Sequence, residues 1–259
     1  MDAETRARTL ARFEAHRRAW DANPALRALY AEWYGRVAAA LPPTSLGPRA
    51  ELGSGPGFAR GFVPELELTD LVRAPWHDRE VSAEALPYAD ASLGGIVLFD
   101  VLHHIPAPRR FFAEAVRALK PGGRLVMCEP YIGPLSYPVY KLLHEEPVRL
   151  FDDPLAPAAD ARDPFDSNQA IPTLLFGRGR PHDALAREFP ALAVRSVEHL
   201  AGPSYVASGG FSRAPLLPLA AWRALHALEA RLPAPLFRLL GFRMLIVIER
   251  TASSARGAC

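Results

Sequence analysis

The spacing of apolar side chains changes period several times along this chain. Leu26, Leu29, Tyr30, Trp33 and Val37 recur at three- and four-residue intervals. Residues 3–40 therefore read as helix, broken at Asn23-Pro24 and ended by Pro42-Pro43. Residues 49–53 form a short strand, residues 65–70 alternate as a strand closed by Asp70, and residues 80–83 form a weaker one. Residues 95–100 are a continuous apolar run ending on Asp100, as in a strand covered on both faces. Residues 108–119 predict a helix with Phe112, Ala115, Val116 and Leu119 inward, stopped by Pro121-Gly122-Gly123. Residues 124–129 are the next buried strand. Strand and helix thus alternate from 49 to 129, which predicts an α/β fold with a doubly wound, mostly parallel sheet. Residues 131–190 are rich in Pro, Asp and aromatics, and are too long for a simple connection. They predict a lid-like insertion after the fifth strand, with helical pieces near 136–145 and 181–188. A strand at 193–199, an interrupted helical region at 215–240 and a strong strand at 242–250 complete the pattern. Leu219, Trp222, Leu225, Leu228 and Leu232 stripe that helical region.

The segment Glu51-Leu52-Gly53-Ser54-Gly55-Pro56-Gly57 closes the first strand and turns the chain away from it. Gly53 permits a tight turn at the strand end, Gly55 lets backbone approach a ligand, and Gly57 lets a helix at 58–63 pack closely. A dinucleotide fingerprint needs glycine where Phe58 stands. Glu51 would repel a pyrophosphate but suits a ligand carrying an amine. Acids also close the second and fourth strands. Asp70 lies 17 residues beyond Gly53, a distance fitting an acid that binds two ribose hydroxyls. A turn or helix cap explains Asp70 equally simply.

Composition narrows the class. The 259 residues carry 30 basic and 28 acidic side chains, net +2, which gives no field for nucleic acid. That length suits one domain over 1–259: a helical cap at 1–45, a ligand-binding core at 46–130, the insertion at 131–190 and closing elements at 191–259. Cys128 and Cys259 imply neither a disulfide framework nor a metal cluster, which fits a reducing, cytoplasmic setting. No stretch approaches the ~18 apolar residues of a membrane span.

Together, Glu51 to Gly57, Asp70, Ala83-Glu84-Ala85-Leu86-Pro87, Asp100-Val101-Leu102-His103-His104-Ile105 and Leu119-Lys120-Pro121-Gly122-Gly123 resemble a known family. It is that of the class I S-adenosylmethionine-dependent methyltransferases, in particular the quinone C-methyltransferases and small-molecule O-methyltransferases. The resemblance implies a Rossmann-like sheet and S-adenosylmethionine as cofactor. It implies that Glu51 holds the methionine amine, that Gly53, Ser54, Gly55 and Gly57 let backbone pass the methionyl part, and that Asp70 with Leu71 meets the ribose. Ser82, Ala83 and Glu84 would border the adenine, and Phe99, Asp100 and Val101 the reactive end. Members often carry Asp where Ser82 stands, with Glu84 as the compensating acid here. They often carry Phe-Asp near Gly94-Gly95, which leaves the local backbone geometry open.

His103 and His104 come just after the fourth strand, where an acceptor approaches, and imidazole can take a hydroxyl proton as the methyl arrives. Packing and backbone hydrogen bonding explain each histidine singly as well. Tyr30, Tyr34, Tyr131, His144, Glu145, the polar run Asp166-Ser167-Asn168-Gln169 and the segment 208–213 are weaker candidates. The implied reaction is in-line methyl transfer to a small, partly hydrophobic acceptor, without a metal. C-methylation and a silent binding protein remain as alternatives; a nicotinamide dehydrogenase is disfavoured by Phe58 and Glu51.

Overall fold

The computed structural model describes residues 1–157, 168–177 and 182–252. Two helices come first, α1 (Ala3–Ala22) and α2 (Pro24–Ala40), separated where predicted. Asn23 caps α2 by accepting from Leu26 N–H, and Pro24 sits where a missing N–H costs nothing. The three-and-four stripe of α2 is buried as read, with Tyr34 added to it.

The sheet has seven strands: β1 (Arg49–Leu52), β2 (Leu66–Asp70), β3 (Arg79–Glu80), β4 (Leu93–Phe99), β5 (Leu119–Pro130), β6 (Leu192–Leu200) and β7 (Arg243–Arg250). Their order is β3-β2-β1-β4-β5-β7-β6. β1 to β5 pair in parallel, while β7 runs antiparallel between β5 and β6. The order reverses at the β1–β4 junction, and the crevice outside their carboxyl ends is where such sheets bind ligands. α3 (Pro108–Ala118) links β4 to β5 and buries Phe111, Phe112 and Ala115 against the sheet. The remaining helices are α4 (Ser136–Leu143), α5 (His182–Glu188), α6 (Pro203–Ala207), α7 (Leu219–Glu229) and α8 (Phe237–Leu240).

Two expectations are corrected. The helix anticipated at 58–63 is one 3₁₀ turn, Phe58–Gly61. Gly61 and Pro64 leave too little chain, because an isolated turn lacks the length that helix propagation needs. The stripe on α7 is also incomplete: Trp222 is buried, but Leu228 is 59% exposed.

Gly94 and Gly95 gain a reason. A Cβ on Gly94 would stand 2.8–2.9 Å from the backbone of Gly47, and one on Gly95 2.8 Å from Leu41. At Gly94 the chain of β4 lies directly on the backbone leading into β1, so only glycine fits there, whereas at Gly95 the Leu41 side chain would have to shift. Gly94→Ala is expected to destabilise the protein by about 2–3 kcal/mol, the cost of overpacking against unyielding backbone. Gly35→Ala, in an open stretch of α2, should instead be neutral or gain up to about 1 kcal/mol. Urea midpoints of the two variants test the contrast; equal midpoints would contradict it.

Candidate active site

The carboxyl ends of β1, β2, β4 and β5 open on one cavity of about 470 Å³. Glu51, Gly53, Ser54, Gly55, Asp70 and Leu71 line one end. Ser82, Ala83, Glu84, Phe99, Asp100 and Val101 continue the wall towards His103 and His104. Of the residues expected at the cofactor, Gly57 alone does not line the cavity. Its φ of +77° turns the chain, and a Cβ there would strike Trp76 at 2.5 Å.

The glycine loop is held from below. Gly53 and Gly55 adopt φ of +70° and +50°, where a side chain is strained. Gly55 N–H donates to Asp70 Oδ2 (2.9 Å), and its carbonyl accepts from Trp76 Nε1 (2.8 Å). Val72 N–H donates to Asp70 Oδ1 (2.9 Å). Each Asp70 oxygen thus accepts one backbone bond and keeps a second lone pair. Burial raises the Asp70 pKa, against the lowering effect of those amides. From above, α1 lays Phe13 over Gly55, and Arg17 donates to Pro56 O (2.8 Å).

Glu51 is 1% exposed, and its Oε2 is buried with no hydrogen-bond partner. Burial, with a smaller contribution from the Asp70 charge, pushes its pKa up to about 8. Ser54 and Arg60 act the other way, and Tyr34, itself shifted upward by burial, adds no positive charge. An orphaned carboxyl oxygen beside a glycine loop lacks one thing, a cationic donor. The residues present therefore fit the amine of an amino-acid ligand. Ser82 Oγ accepts from Glu84 N–H (3.3 Å), and Glu84 Oε1 accepts from Ala107 N–H (2.8 Å) at the start of α3. Glu84 thus ties down α3 with one oxygen and keeps the other.

The far end is charged and aromatic. Asp100 holds φ +60°, tolerated by aspartate better than by most residues, and pairs with Arg243 at the head of β7. Arg243 is buried under Trp33 and Tyr205, 5.5 and 5.1 Å from their ring centres, and its Nη2 donates to Tyr205 OH (3.0 Å). Burial lowers the Arg243 pKa. Tyr30 stacks on Phe99 at 5.1 Å, and Tyr34 lies 4.7 Å from the same ring, so both pack the core and line the cavity.

His103 is 2% exposed. Its Nδ1 donates to Glu129 Oε2 (2.8 Å), while Glu129 Oε1 accepts from the amides of Val101 and Leu102 (2.8 Å each). His103 Nε2 stands 3.4 Å from Glu146 Oε2, and His104 Nε2 stands 3.6 Å from Glu146 Oε1. Burial works against a charged His103, but hydrogen bonds to Glu129 and Glu146 outweigh it and raise its pKa to about 9. Burial, reinforced by the His103 charge, lowers His104 to about 3. Burial alone would raise Glu146; the His103 hydrogen bond and charge prevail and hold it far below the carboxylate range.

Three of these residues, Glu129, Glu146 and Arg243, escaped the sequence reading. Glu129 carried the same signal as the other acids, since it closes the fifth strand just before Pro130. Arg243 is a charge heading a buried apolar strand. Glu146 had a false neighbour: Glu145, the acid singled out, is exposed and does not line the cavity. His144 and Gln169 do line it, with Gln169 Nε2 donating to Glu146 Oε2 (2.8 Å). Asn168 instead bridges to Arg149, and Tyr131 OH donates to Arg238 O (3.0 Å). From 208–213, Phe211 and Ser212 reach the cavity. Asp166, Ser167 and Cys259 lie outside the described residues.

Residues 66–127 match the model of a family described as a methyltransferase domain. A curated protein of Streptomyces fradiae, an uncharacterized 37.1 kDa protein in transposon TN4556, is 36% identical over 95 residues. The match takes in 34% of this chain and only 28% of that protein's length. Among solved structures, one chain from the complex with the Haloferax volcanii Trm112 methyltransferase activator superposes with TM-score 0.53. It is 14% identical, over 97% of this chain and all of that one. A geranyl diphosphate methyltransferase in complex with S-adenosylmethionine gives 0.52 at 13% identity, over 87% of each chain. These two likenesses are of fold. Residues 66–127 are thus similar to a methyltransferase domain, and they lie in a seven-stranded Rossmann-like sheet whose seventh strand is reversed. Among the described residues no helix is long and apolar enough to cross a membrane.

Proposed function

We propose that this protein transfers the methyl group of S-adenosylmethionine to an oxygen of a small, partly apolar acceptor. One observation carries the reading: a single cavity is lined at one end by Glu51, Gly55 and Asp70 and at the other by His103, His104 and Glu146. Its size is that of a small-molecule site. Glu51 Oε2 takes the methionyl ammonium, Gly53 and Gly55 let backbone lie close, and the free lone pairs of Asp70 take the ribose hydroxyls. Ala83 and the wall at Ser82 border the adenine. The bound cofactor supplies an electrophilic methyl on a sulfonium. The protein's task is then to align the acceptor and exclude water, which proximity and burial accomplish. Tyr30, Tyr34, Tyr140 and Phe211 supply the apolar walls. The leucines of 215–240, the sequence-based source of that apolarity, do not line the cavity. The proton of a hydroxyl acceptor leaves at the imidazole–carboxylate end.

Glu51 makes the reading measurable. Unpaired and buried, it is mostly protonated at pH 6–7; paired with an ammonium it ionises. Binding should therefore release close to one proton per molecule, and affinity should rise with pH, by at most about tenfold per unit, levelling near pH 8. Calorimetry of S-adenosylhomocysteine in buffers of different ionisation enthalpy reads this directly. Glu51→Gln should abolish the release and weaken binding about 10- to 100-fold. Binding without proton release would remove Glu51 from the amine site. Failure to form S-adenosylhomocysteine with phenols, alcohols and carboxylic acids alike would leave a binding protein without O-methylation.

A further inference from the structure

We propose that His103 Nε2, His104 Nε2 and Glu146 form a divalent transition-metal site at the acceptor end of the cavity, with an open position for an acceptor oxygen. The proposal rests on the methyl-transfer reading for that acceptor, but the site itself can be measured apart from it.

The ligand atoms of these three residues all lie within 4.8 Å of one another. His103 Nε2 stands 3.4 Å from Glu146 Oε2, and His104 Nε2 stands 3.6 Å from the other oxygen, Oε1. Two ligands each about 2.1 Å from a tetrahedral cation stand about 3.4 Å apart, so little movement is required. The glutamate is shared edgewise between two imidazoles whose ring centres are 4.1 Å apart, and a cation at the meeting point would satisfy all three at once.

The surroundings supply the independent observation. A metal-bound imidazole characteristically donates its other N–H to a carboxylate, which fixes tautomer and ring orientation. His103 does this: Nδ1 donates to Glu129, which is fully buried and is itself clamped by the Val101 and Leu102 amides. That bond leaves Nε2 aimed at Glu146. Glu146 is oriented in turn by Gln169 Nε2. Asp100 is paired with Arg243 and is not a ligand.

Two imidazoles and one carboxylate favour Zn²⁺, Co²⁺ or Fe²⁺ over the hard, oxygen-seeking Mg²⁺ and Ca²⁺. Three protein ligands leave a position open, the pattern of a catalytic rather than a structural site. An acceptor hydroxyl bound there loses its proton to solvent water. Its oxygen then forms the O–CH₃ bond as the S–CH₃ bond breaks and the electron pair returns to sulfur. The neutral ether leaves more easily than the oxyanion bound.

The test is a titration of untagged, chelator-treated protein with Co²⁺, monitored by visible absorption, with S-adenosylhomocysteine binding measured on the same samples. One Co²⁺ per chain, with a d–d band typical of four or five ligands, is the expected result. His104→Asn and Glu146→Gln should each weaken it at least tenfold while S-adenosylhomocysteine affinity stays within about threefold; thermal unfolding confirms that both variants fold. No stoichiometric band, or a band untouched by both substitutions, overturns the site. Cofactor binding with no cobalt site leaves the methyl-transfer reading standing; a cobalt site without cofactor binding does the opposite.

Discussion

Gly55→Arg is expected to eliminate measurable binding of S-adenosylmethionine and S-adenosylhomocysteine, a loss of at least about 100-fold. Gly55 lines the cavity, and a Cβ there meets nothing closer than Phe13 at 3.6 Å, so a long charged side chain can intrude on it. The fold should survive. A non-glycine residue at φ +50° costs roughly 1–2 kcal/mol. In a chain of this length that lowers the unfolding temperature by only a few degrees. Calorimetry paired with a thermal scan separates the two effects. Wild-type affinity in a folded variant would show that the ligand does not lie along this loop.

Glu129→Ala should be the most destabilising single change at the site. One carboxylate accepts from two backbone amides and an imidazole, all at 2.8 Å, with none of its own surface exposed. Its removal orphans three donors in a place water does not reach. The expected loss is about 3–5 kcal/mol, the range for breaking a buried charged pair, or roughly 10 °C in unfolding temperature. Glu129→Gln keeps an acceptor for the two amides and should recover about half of it. Equal denaturation midpoints for the wild type and both variants would contradict this account.

Much of the fold was legible because its signals were local. The α2 stripe, the apolar run of β4, and Pro121-Gly122-Gly123 after α3 each act within a few residues. The glycine-loop end of the cavity was legible for the same reason: Glu51 and Gly53 to Gly55 are nearly contiguous, and Asp70 closes the neighbouring strand. The far end of the cavity was not. His103 meets Glu129 across 26 residues, and Arg243 meets Asp100 across 143. No spacing in one sequence announces such a pairing. The helix at 58–63 failed because the glycine loop raised an expectation that Gly61 and Pro64 deny. Gly94 became intelligible only when the Gly47 backbone was seen lying against it, and Gly95 when the Leu41 side chain was.

The reversed seventh strand bears on how the molecule is assembled. β7 slots between β5 and β6, and its first residue, Arg243, arrives at the parallel strands' carboxyl ends only because its direction is opposite to theirs. During synthesis the loop, Asp70 and the histidine pair emerge long before it. Until it inserts, β5 offers a run of unpaired backbone from Arg124 to Pro130 on a buried apolar strand. Such an edge is a template for joining another chain. A polypeptide interrupted before residue 243 would therefore keep its glycine loop yet be prone to self-association, with Asp100 left without its arginine. Folding of the last strand is what both seals the sheet and neutralises the site.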